Sequence, residues 1–289
     1  MDKSINFPNL GIHLENVGKT VSFFGFKVAY YGIIIGFGML VGMYIASVEA
    51  KKSHQDPDMY YDLSIYGIFF AIIGARIYYV AFSWADYKDD LLSIFNLRGG
   101  GLAIYGGIIG AVITVLVFAR RRGISAGLLL DTACPGIIAG QMIGRWGNFF
   151  NREAFGGYTD GLFAMQLPVN AVRQHEITTE MWDHVQMLDG TAFIKVHPTF
   201  LYESLWCLGG LIVLLKYRDR KAFDGEVFHM YLFLYAAGRV WIEGLRTDQL
   251  QFQNGIAVSQ LLAAGLLLYC PVRIIWGRRR AKKTSSSER

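Results

Sequence analysis

Cysteine and histidine are scarce in this sequence, and their positions exclude several kinds of site. The three cysteines, Cys134, Cys207 and Cys270, each lie inside an apolar run. An odd number of cysteines at such positions argues against a disulfide framework and against a zinc cluster. No group of His, Cys and carboxylate residues has the spacing of metal ligands, so we expect neither a metal nor a cofactor.

Charged residues are also few for a chain of 289 residues. Asp, Glu, Lys and Arg make up 18% of the sequence, whereas hydrophobic residues make up 53%. This composition is too apolar for an ordinary soluble domain and predicts a polytopic membrane protein. The first thirty residues contain five charged side chains and no early apolar core, so the sequence predicts no cleavable signal peptide.

Seven apolar runs are long enough to cross a bilayer, which predicts an all-α polytopic membrane protein of about seven transmembrane helices. They cover approximately residues 28–46, 64–82, 101–119, 128–150, 197–215, 227–245 and 256–276. Four glycines in the first run, Gly32, Gly36, Gly38 and Gly42, suit close packing of helices. The predicted loops include 49–62 and 83–98, and residues 1–27 are expected at a membrane surface.

Residues 151–196 differ from the rest, because they are polar and contain no run that could span a membrane. We expect residues 1–289 to form one integral membrane domain, with 151–196 as a small extracytoplasmic cap inserted between spans four and five. Lys and Arg concentrate in alternate loops and in the tail at 278–283. This bias predicts a cytoplasmic C-terminus and, with seven spans, an external N-terminus and cap. The formal net charge of +5 is therefore attributed to topology and not to nucleic-acid binding.

The fourth span ends in the polar segment 144–157, GRWGNFFNREAFGG. An arginine near the bilayer centre costs about 2.5 kcal/mol or more, so Arg145 requires a compensating interaction. Arg145 and Asn148 share one face of a helix, and Gly144 and Gly147 leave the backbone open to close approach. From these residues alone, the segment is either a ligand niche or a helix-packing site with a paired arginine.

The pattern G-R-x-G-N-F-x-N-x-E-x-x-G resembles the signature of the prolipoprotein diacylglyceryl transferase family. Every fixed position is present: Gly144, Arg145, Gly147, Asn148, Phe149, Asn151, Glu153 and Gly156. So many fixed polar positions within thirteen residues make this resemblance far more specific than a lone glycine motif.

Other places in the chain extend the resemblance. They are Tyr31-Gly32, Gly74-x-Arg76, Tyr105-Gly106-Gly107, the element with His197, Pro198, Tyr202 and Glu203, and Arg239-x-x-x-Glu243-x-x-Arg246. One position departs from some members of the family, which have histidine where this chain has Tyr105. A mechanism with an essential imidazole base at that position therefore cannot be transferred to this chain.

The arginines of the sixth span suggest a ligand by their charge. Arg239, Glu243 and Arg246 lie on one helical face, so a self-neutralised structural triad is one interpretation. However, Glu243 cannot balance both of these arginines together with Arg145 and Arg76. We therefore expect surplus positive charge and an anionic ligand, which at a membrane surface is most simply a lipid phosphate.

The resemblance implies transfer of a diacylglyceryl group from phosphatidylglycerol to the lipobox cysteine of a prolipoprotein signal peptide, in the bacterial plasma (inner) membrane. Arginine suits the phosphate leaving group because its planar fork is always charged. Arg145 and Arg239 are assigned to the phosphate, and Tyr31 and Tyr105 to substrate hydrogen bonding or proton transfer. The remaining predicted substrate-binding residues are Asn148, Glu153, Gly156, Glu243, Arg246 and Arg76. The group that deprotonates the thiol is left open.

Three other functions compete with this interpretation. A lipid or anion transporter would also use intramembrane arginines, although no internal repeat supports it. An intramembrane protease is disfavoured because His175-Glu176 lacks the second histidine of a zinc helix, and His175 is expected to be a solvated cap residue. A scaffold that binds lipoprotein precursors without turnover is the third alternative.

Overall fold

Long apolar helices dominate this computed structural model, which describes residues 3–97, 100–249 and 257–287. Within these ranges, six helices are long and apolar enough to cross a membrane: α1 (Tyr30–Lys52), α2 (Asp58–Phe82), α3 (Ile104–Arg122), α4 (Ala126–Asn151), α6 (Thr199–Tyr217) and α8 (Val258–Ser287). The short helix α5 (Thr179–Asp183) precedes α6. The predicted class, a polytopic helical membrane protein, is thereby confirmed.

The sixth predicted span, 227–245, corresponds to α7 (Glu226–Glu243), which has 18 residues. It does not join the six because it carries Glu226, Arg239 and Glu243, which make its composition more polar than theirs. The loop predicted at 49–62 was largely wrong, since α1 continues to Lys52 and α2 begins at Asp58. Lys51 and Lys52 remain helical in the last turn of α1, where positive charge is favoured by the helix dipole.

The chain divides into two compact units, and both α1 and α4 cross the boundary between them. One unit contains residues Met43–Cys134, and α2 and α3 form its main helix pair. The two helices approach so closely that a Cβ atom added to Gly106 would collide with the backbone carbonyl of Gly74. An apolar cluster that includes Tyr60, Phe118 and Leu129 completes this unit.

The other unit contains Met1–Gly42 and Pro135–Arg289. Here α1 packs on α4, because a Cβ at Gly42 would lie 2.8 Å from the Gly136 carbonyl oxygen and one at Gly38 would lie 3.1 Å from that of Gly140. Glycine packing is therefore confirmed at these two positions. It was wrong at Gly32 and Gly36, where an added Cβ would meet no described atom within 4 Å. In the same unit, α7 packs against both α6 and α8.

A small antiparallel sheet lies in the same unit. Its strands are β1 (Ile5–Phe7), β2 (Ile12–Leu14), β5 (Met165–Pro168), β6 (Gln186–Leu188) and β7 (Thr191–Val196), in the order β2-β1-β5-β7-β6. The segment expected only at a membrane surface thus supplies two of the five strands. Asn6 faces Gln166 in the register of β1 with β5, and their side chains are hydrogen-bonded at 3.2 Å.

The sheet is tied to the helix ends by a shared core. Phe149 of α4 and Phe200 of α6 are buried with Ile5, Leu167 and Ile194. A separate hairpin of β3 (Thr20–Phe23) and β4 (Phe26–Ala29) leads directly into α1. The sheet therefore fixes the positions at which α4 ends and α6 begins.

Candidate functional site

The signature segment leaves α4 in a turn that is closed by Glu153. Its carboxylate accepts hydrogen bonds from the side-chain amides of Asn148 at 3.2 Å and Asn151 at 3.1 Å. The Glu153 backbone N–H donates to the Asn148 carbonyl at 3.2 Å. Arg173, which follows β5, pairs with the same carboxylate at 3.3 Å. Glu153 thus links the end of α4 to the sheet region.

The glycine that ends the signature lies where three segments meet. The Gly156 N–H donates to the His197 carbonyl at 3.0 Å, and Gly156 also forms an isolated antiparallel bridge with Arg246. The next N–H, that of Gly157, donates to the Leu245 carbonyl at 2.9 Å. A Cβ at Gly156 would lie 2.8 Å from His197 Cβ and 2.9 Å from the Leu245 carbonyl oxygen. Only glycine allows this approach without displacement of its neighbours.

Beside this junction, Arg145 of the signature, Arg239 of α7 and Arg246 of the segment after α7 meet at one carboxylate, that of Glu203 on α6. Arg145 Nε contacts Glu203 Oε2, while Arg239 Nη1 lies 3.4 Å and Arg246 Nη1 3.9 Å from Glu203 Oε1. Within α7, Arg239 Nη2 lies 2.6 Å from Glu243 Oε2. The structure thus brings together Arg145, Arg239, Glu243 and Arg246, as the sequence predicted.

Arg246, in the segment after α7, has a further partner in Asp248. Asp248 accepts two hydrogen bonds from the Arg246 guanidinium, at 2.9 and 2.8 Å. Burial raises the pKa of the Asp248 carboxyl, but the Arg246 guanidinium outweighs burial and holds the pKa below its usual range. This fork-to-fork pair keeps Asp248 ionised and fixes the orientation of Arg246.

The argument from surplus charge was wrong. Three arginines and three carboxylates, those of Glu203, Glu243 and Asp248, give this described cluster a formal charge of zero. The sequence analysis counted only Glu243. Glu203 was visible in the His-Pro element and Asp248 stands two residues after Arg246, but neither position reveals by itself that its side chain faces the arginines.

Three members of the cluster, Arg145, Glu203 and Arg239, line a small cavity. Its lining residues come from α4, α6 and α7: Ile138, Gln141, Arg145, Glu203, Trp206, Cys207, Tyr235, Gly238, Arg239 and Ile242. The cavity of about 20 Å³ has room for roughly one water molecule. Glu203 therefore occupies the space between the arginines that an anionic group would need.

Tyr31 lies directly on the signature helix. A Cβ at Gly147 would lie 2.6 Å from Cδ2 of the Tyr31 ring, so this glycine makes room for the ring. The preceding residue, Tyr30, stacks on Phe150 with ring centroids 4.9 Å apart. The first turn of α1 is thus placed on the last turns of α4, and the predicted site residue Tyr31 is beside the signature.

Arg76 and Tyr105 belong to the other unit. Arg76 is buried and donates to five backbone carbonyls, those of Ile94, Gly100, Gly101, Ser93 and Asn96, at 2.7 to 3.2 Å. Since a guanidinium has five N–H groups, these contacts use all of its donors. Arg76 holds the segment between α2 and α3 in place, and its contact with substrate remains a prediction. Tyr105 lies in the first turn of α3 and is partly exposed.

His197 was quoted only as part of a motif, yet it lies at the Gly156 junction. Its Nδ1 is 3.2 Å from the hydroxyl of Tyr202, whose ring stacks on Trp241 of α7. Burial lowers the pKa of His197, so the imidazole is held neutral near pH 7. By contrast, His175 is 77% exposed, as expected for a solvated residue.

In the part of the chain that the structure describes, six helices that could cross a membrane define an integral membrane protein, and a buried arginine–carboxylate cluster lies among α4, α6 and α7. Comparison with known proteins identifies the family of this chain. The family model described as prolipoprotein diacylglyceryl transferase matches residues 19–276, and the chain belongs to this family.

Curated relatives agree with this assignment. The chain is 42% identical over 256 residues to a protein of Bacillus cereus (strain Q1) named phosphatidylglycerol--prolipoprotein diacylglyceryl transferase, with 88% of this chain and 89% of the relative covered. Proteins of the same name from Bacillus anthracis (strain A0248) and Bacillus mycoides (strain KBAB4) are 42% and 41% identical over the same length and with the same coverage.

Proposed function

We propose that this chain transfers the diacylglyceryl group of phosphatidylglycerol to the thiol of the lipobox cysteine of prolipoproteins, the first step of lipoprotein maturation. The observation that carries the proposal is the meeting of the signature arginine Arg145 with Arg239 at Glu203. Family membership and the complete signature support the same reaction.

The reaction requires charge stabilisation on one side and a thiolate on the other. The thiolate sulfur attacks the carbon of the diacylglyceryl group that is bonded to a phosphate oxygen. A C–S bond forms as this C–O bond breaks. The bonding electron pair leaves with the phosphate oxygen, so the products are a thioether and glycerol 1-phosphate. Arg145 and Arg239 stabilise the charge that grows on the leaving phosphate.

The other residues have supporting roles. Asn148 and Glu153 shape the end of the signature helix, while Glu243 and Asp248 orient Arg239 and Arg246. Tyr31 hydrogen-bonds substrate from its place against Gly147, and Tyr105 acts in substrate hydrogen bonding or proton transfer. Gly156 permits the backbone junction, and Arg76 supports the segment between α2 and α3.

The small cavity adds a requirement to this mechanism. A phosphate group is larger than the single water for which there is room, so it fits between Arg145 and Arg239 only if the Glu203 side chain moves away. The lipid phosphate then replaces one carboxylate among the arginines, and the local charge balance is kept. Substrate binding is thus an exchange of anions at a fixed set of guanidinium groups.

The decisive experiment is direct transfer in a purified system. Protein in detergent is incubated with phosphatidylglycerol and a signal peptide that carries the lipobox cysteine, and mass spectrometry detects the added diacylglyceryl group. Phosphatidylethanolamine in place of phosphatidylglycerol should react poorly, and a peptide with serine in place of the cysteine should not react. Lipid movement between vesicles without peptide modification would favour the transporter, and peptide binding without turnover would favour the scaffold.

We further propose that the chain lies in a bacterial plasma (inner) membrane, with its N-terminus and residues 151–196 outside and its C-terminus in the cytoplasm. The concentration of Lys and Arg in alternate loops and in the tail supports this orientation. Reporter fusions after residue 190 and at the C-terminus should give opposite signals. A cytoplasmic signal at residue 190 would overturn this topology.

A further inference from the structure

A second cavity, larger than the one at the arginine cluster, lies beside the end of the signature. It is a cleft of about 690 Å³, here called the basic cleft, and its polar lining includes Lys3, Lys19, Asn151, Arg152, Glu153 and Arg173. The residues come from the N-terminal segment, the turn after α4 and the segment after β5. None of the assigned catalytic arginines lines it.

We propose that the basic cleft binds a phosphate monoester dianion, the glycerol phosphate that the reaction releases; the identity of this ligand rests on the proposed function. The cleft then serves as a receiving site for the leaving product between the arginine cluster and the aqueous phase. The charges of the cleft, its neutral donors and its position each support this assignment.

The charge of the cleft matches a dianion. Four cations face it, those of Lys3, Lys19, Arg152 and Arg173, and the described carboxylates nearby are Glu153 in its wall and Glu176 behind Arg173. The described residues of the cleft therefore carry a formal charge of +2. A phosphate monoester carries a charge of about −1.5 to −2 at pH 7, so the two are complementary.

The cations are not equally available. Arg173 is shared between Glu153 at 3.3 Å and Glu176 at 3.1 Å. Arg152 is buried and donates to the backbone carbonyls of Val17 and Lys3. Lys19 is exposed on the cleft wall, and no described carboxylate lies within ion-pair distance of its ammonium group. Lys3 is exposed as well and lies in no described ion pair, so these two lysines are the donors available to a ligand.

The surroundings of Lys19 favour an added anion. Partial desolvation in the cleft wall and the positive charges of Arg152 and Arg173 lower the pKa of Lys19, and Glu153 and Glu176 offset these effects only in part. A bound dianion would relieve this repulsion. The neutral polar side chains of Asn151, Asn170 and Thr20 in the same wall suit the hydroxyl groups of a small polyol.

The cleft begins where the signature ends. Asn151 and Glu153 line it, and Glu153 also holds Asn148, one helical turn after Arg145. A phosphate that leaves the arginine cluster towards this turn therefore meets the cleft next. The apolar lining is limited to small aliphatic side chains such as Val17, Ala171 and Val172, which favours a small polar ligand over a peptide segment.

The test uses the full-length protein in detergent with sn-glycerol 1-phosphate as the probe. Calorimetry measures its binding directly, and the transfer assay measures its inhibition of the reaction. Lys19→Ala should weaken both binding and inhibition about tenfold, because it removes one charged hydrogen bond. Lys27→Ala is the matched control, since Lys27 is an exposed lysine on the hairpin that directly follows Lys19 and lies outside the cleft. Inorganic phosphate should compete with the probe, and glycerol should not.

Each outcome separates the two proposals. If peptide modification fails but glycerol phosphate binds in a Lys19-dependent way, the proposed function is wrong and the anion site remains. If modification occurs but the probe binds equally well to the Lys19→Ala and Lys27→Ala variants, the basic cleft is not the site. Displacement of bound probe by an acidic peptide but not by inorganic phosphate would also overturn the inference. Lys19→Glu, which reverses the charge at an exposed position, should abolish binding if the inference is correct.

Discussion

Glu203 on α6 and Arg239 on α7 form an ion pair, with 3.4 Å between Oε1 and Nη1, although they are 36 residues apart in the sequence. The same carboxylate contacts Arg145 on α4 through its other oxygen. One side chain thus joins the signature to the two helices that pack around it. Because the Glu203 side chain is only 9% exposed, the charges at this point are held in a largely water-free environment.

Replacement of Glu203 by glutamine should destabilise the protein. The change removes the shared carboxylate and leaves the cluster with a surplus positive charge, and loss of one partner from a buried ion pair typically costs about 3–5 kcal/mol. We expect a lower melting temperature in detergent and a lower folded yield. An anionic lipid should restore part of the lost stability, whereas a zwitterionic lipid should not. A melting temperature equal to that of the unmodified protein would contradict the central role of Glu203.

Replacement of Arg145 or Arg239 should lower the turnover rate more than it weakens lipid binding. Their alanine variants lose a donor to the leaving phosphate, which typically costs on the order of 100- to 1000-fold in rate. Lysine keeps the charge but not the planar fork, so Arg145→Lys and Arg239→Lys should recover only part of the activity. The measurement is transfer per folded molecule, with melting recorded in parallel. Near-normal specific activity in either alanine variant would remove that arginine from the mechanism.

Two adjacent glycines give a controlled test of the backbone junction. A methyl group at Gly156 would lie within 3 Å of His197 Cβ and the Leu245 carbonyl oxygen, whereas one at Gly157 would meet no described atom within 4 Å. Gly156→Ala should therefore destabilise the fold by about 1–3 kcal/mol and lower activity. Gly157→Ala should leave both close to normal. Equal melting temperatures for the two variants would show that the junction does not require the close approach.

Stability should depend on pH through His197. Burial lowers the pKa of His197 in the folded protein, so the unfolded chain binds the proton more readily. The contribution of the neutral imidazole is present above the ordinary pKa of about 6.5 and is lost as the pH falls towards the lower folded value. His197→Gln should reduce this decline in melting temperature, and the exposed His175→Gln should not change it. An unchanged decline in the His197 variant would assign the effect to another group.

The sequence by itself determined the membrane class, most helix positions and the signature. Apolar runs of about 20 residues have few alternatives to a spanning helix, because every backbone polar group must be satisfied within the bilayer. Arg145 also stands out in the sequence, because an arginine in an apolar run requires a compensating partner or ligand. Helical spacing correctly grouped Arg239 with Glu243, but the predicted helical face was wrong for Arg246, which reaches the cluster from the segment after α7 because the helix ends at Glu243.

Only the tertiary structure decided which charges meet and which segments pair. The balance at Glu203 and Asp248 depends on the packing of α4, α6 and α7, and sequence spacing carries no information about contacts between helices. The same holds for β1, whose three residues join a sheet with strands that lie more than 150 residues later. The local sequence pattern determines whether a segment forms a helix or a strand, but long-range packing determines which side chains meet. At the arginine cluster, this packing placed Glu203 and Asp248 beside the arginines, so the expected surplus of positive charge is a neutral cluster.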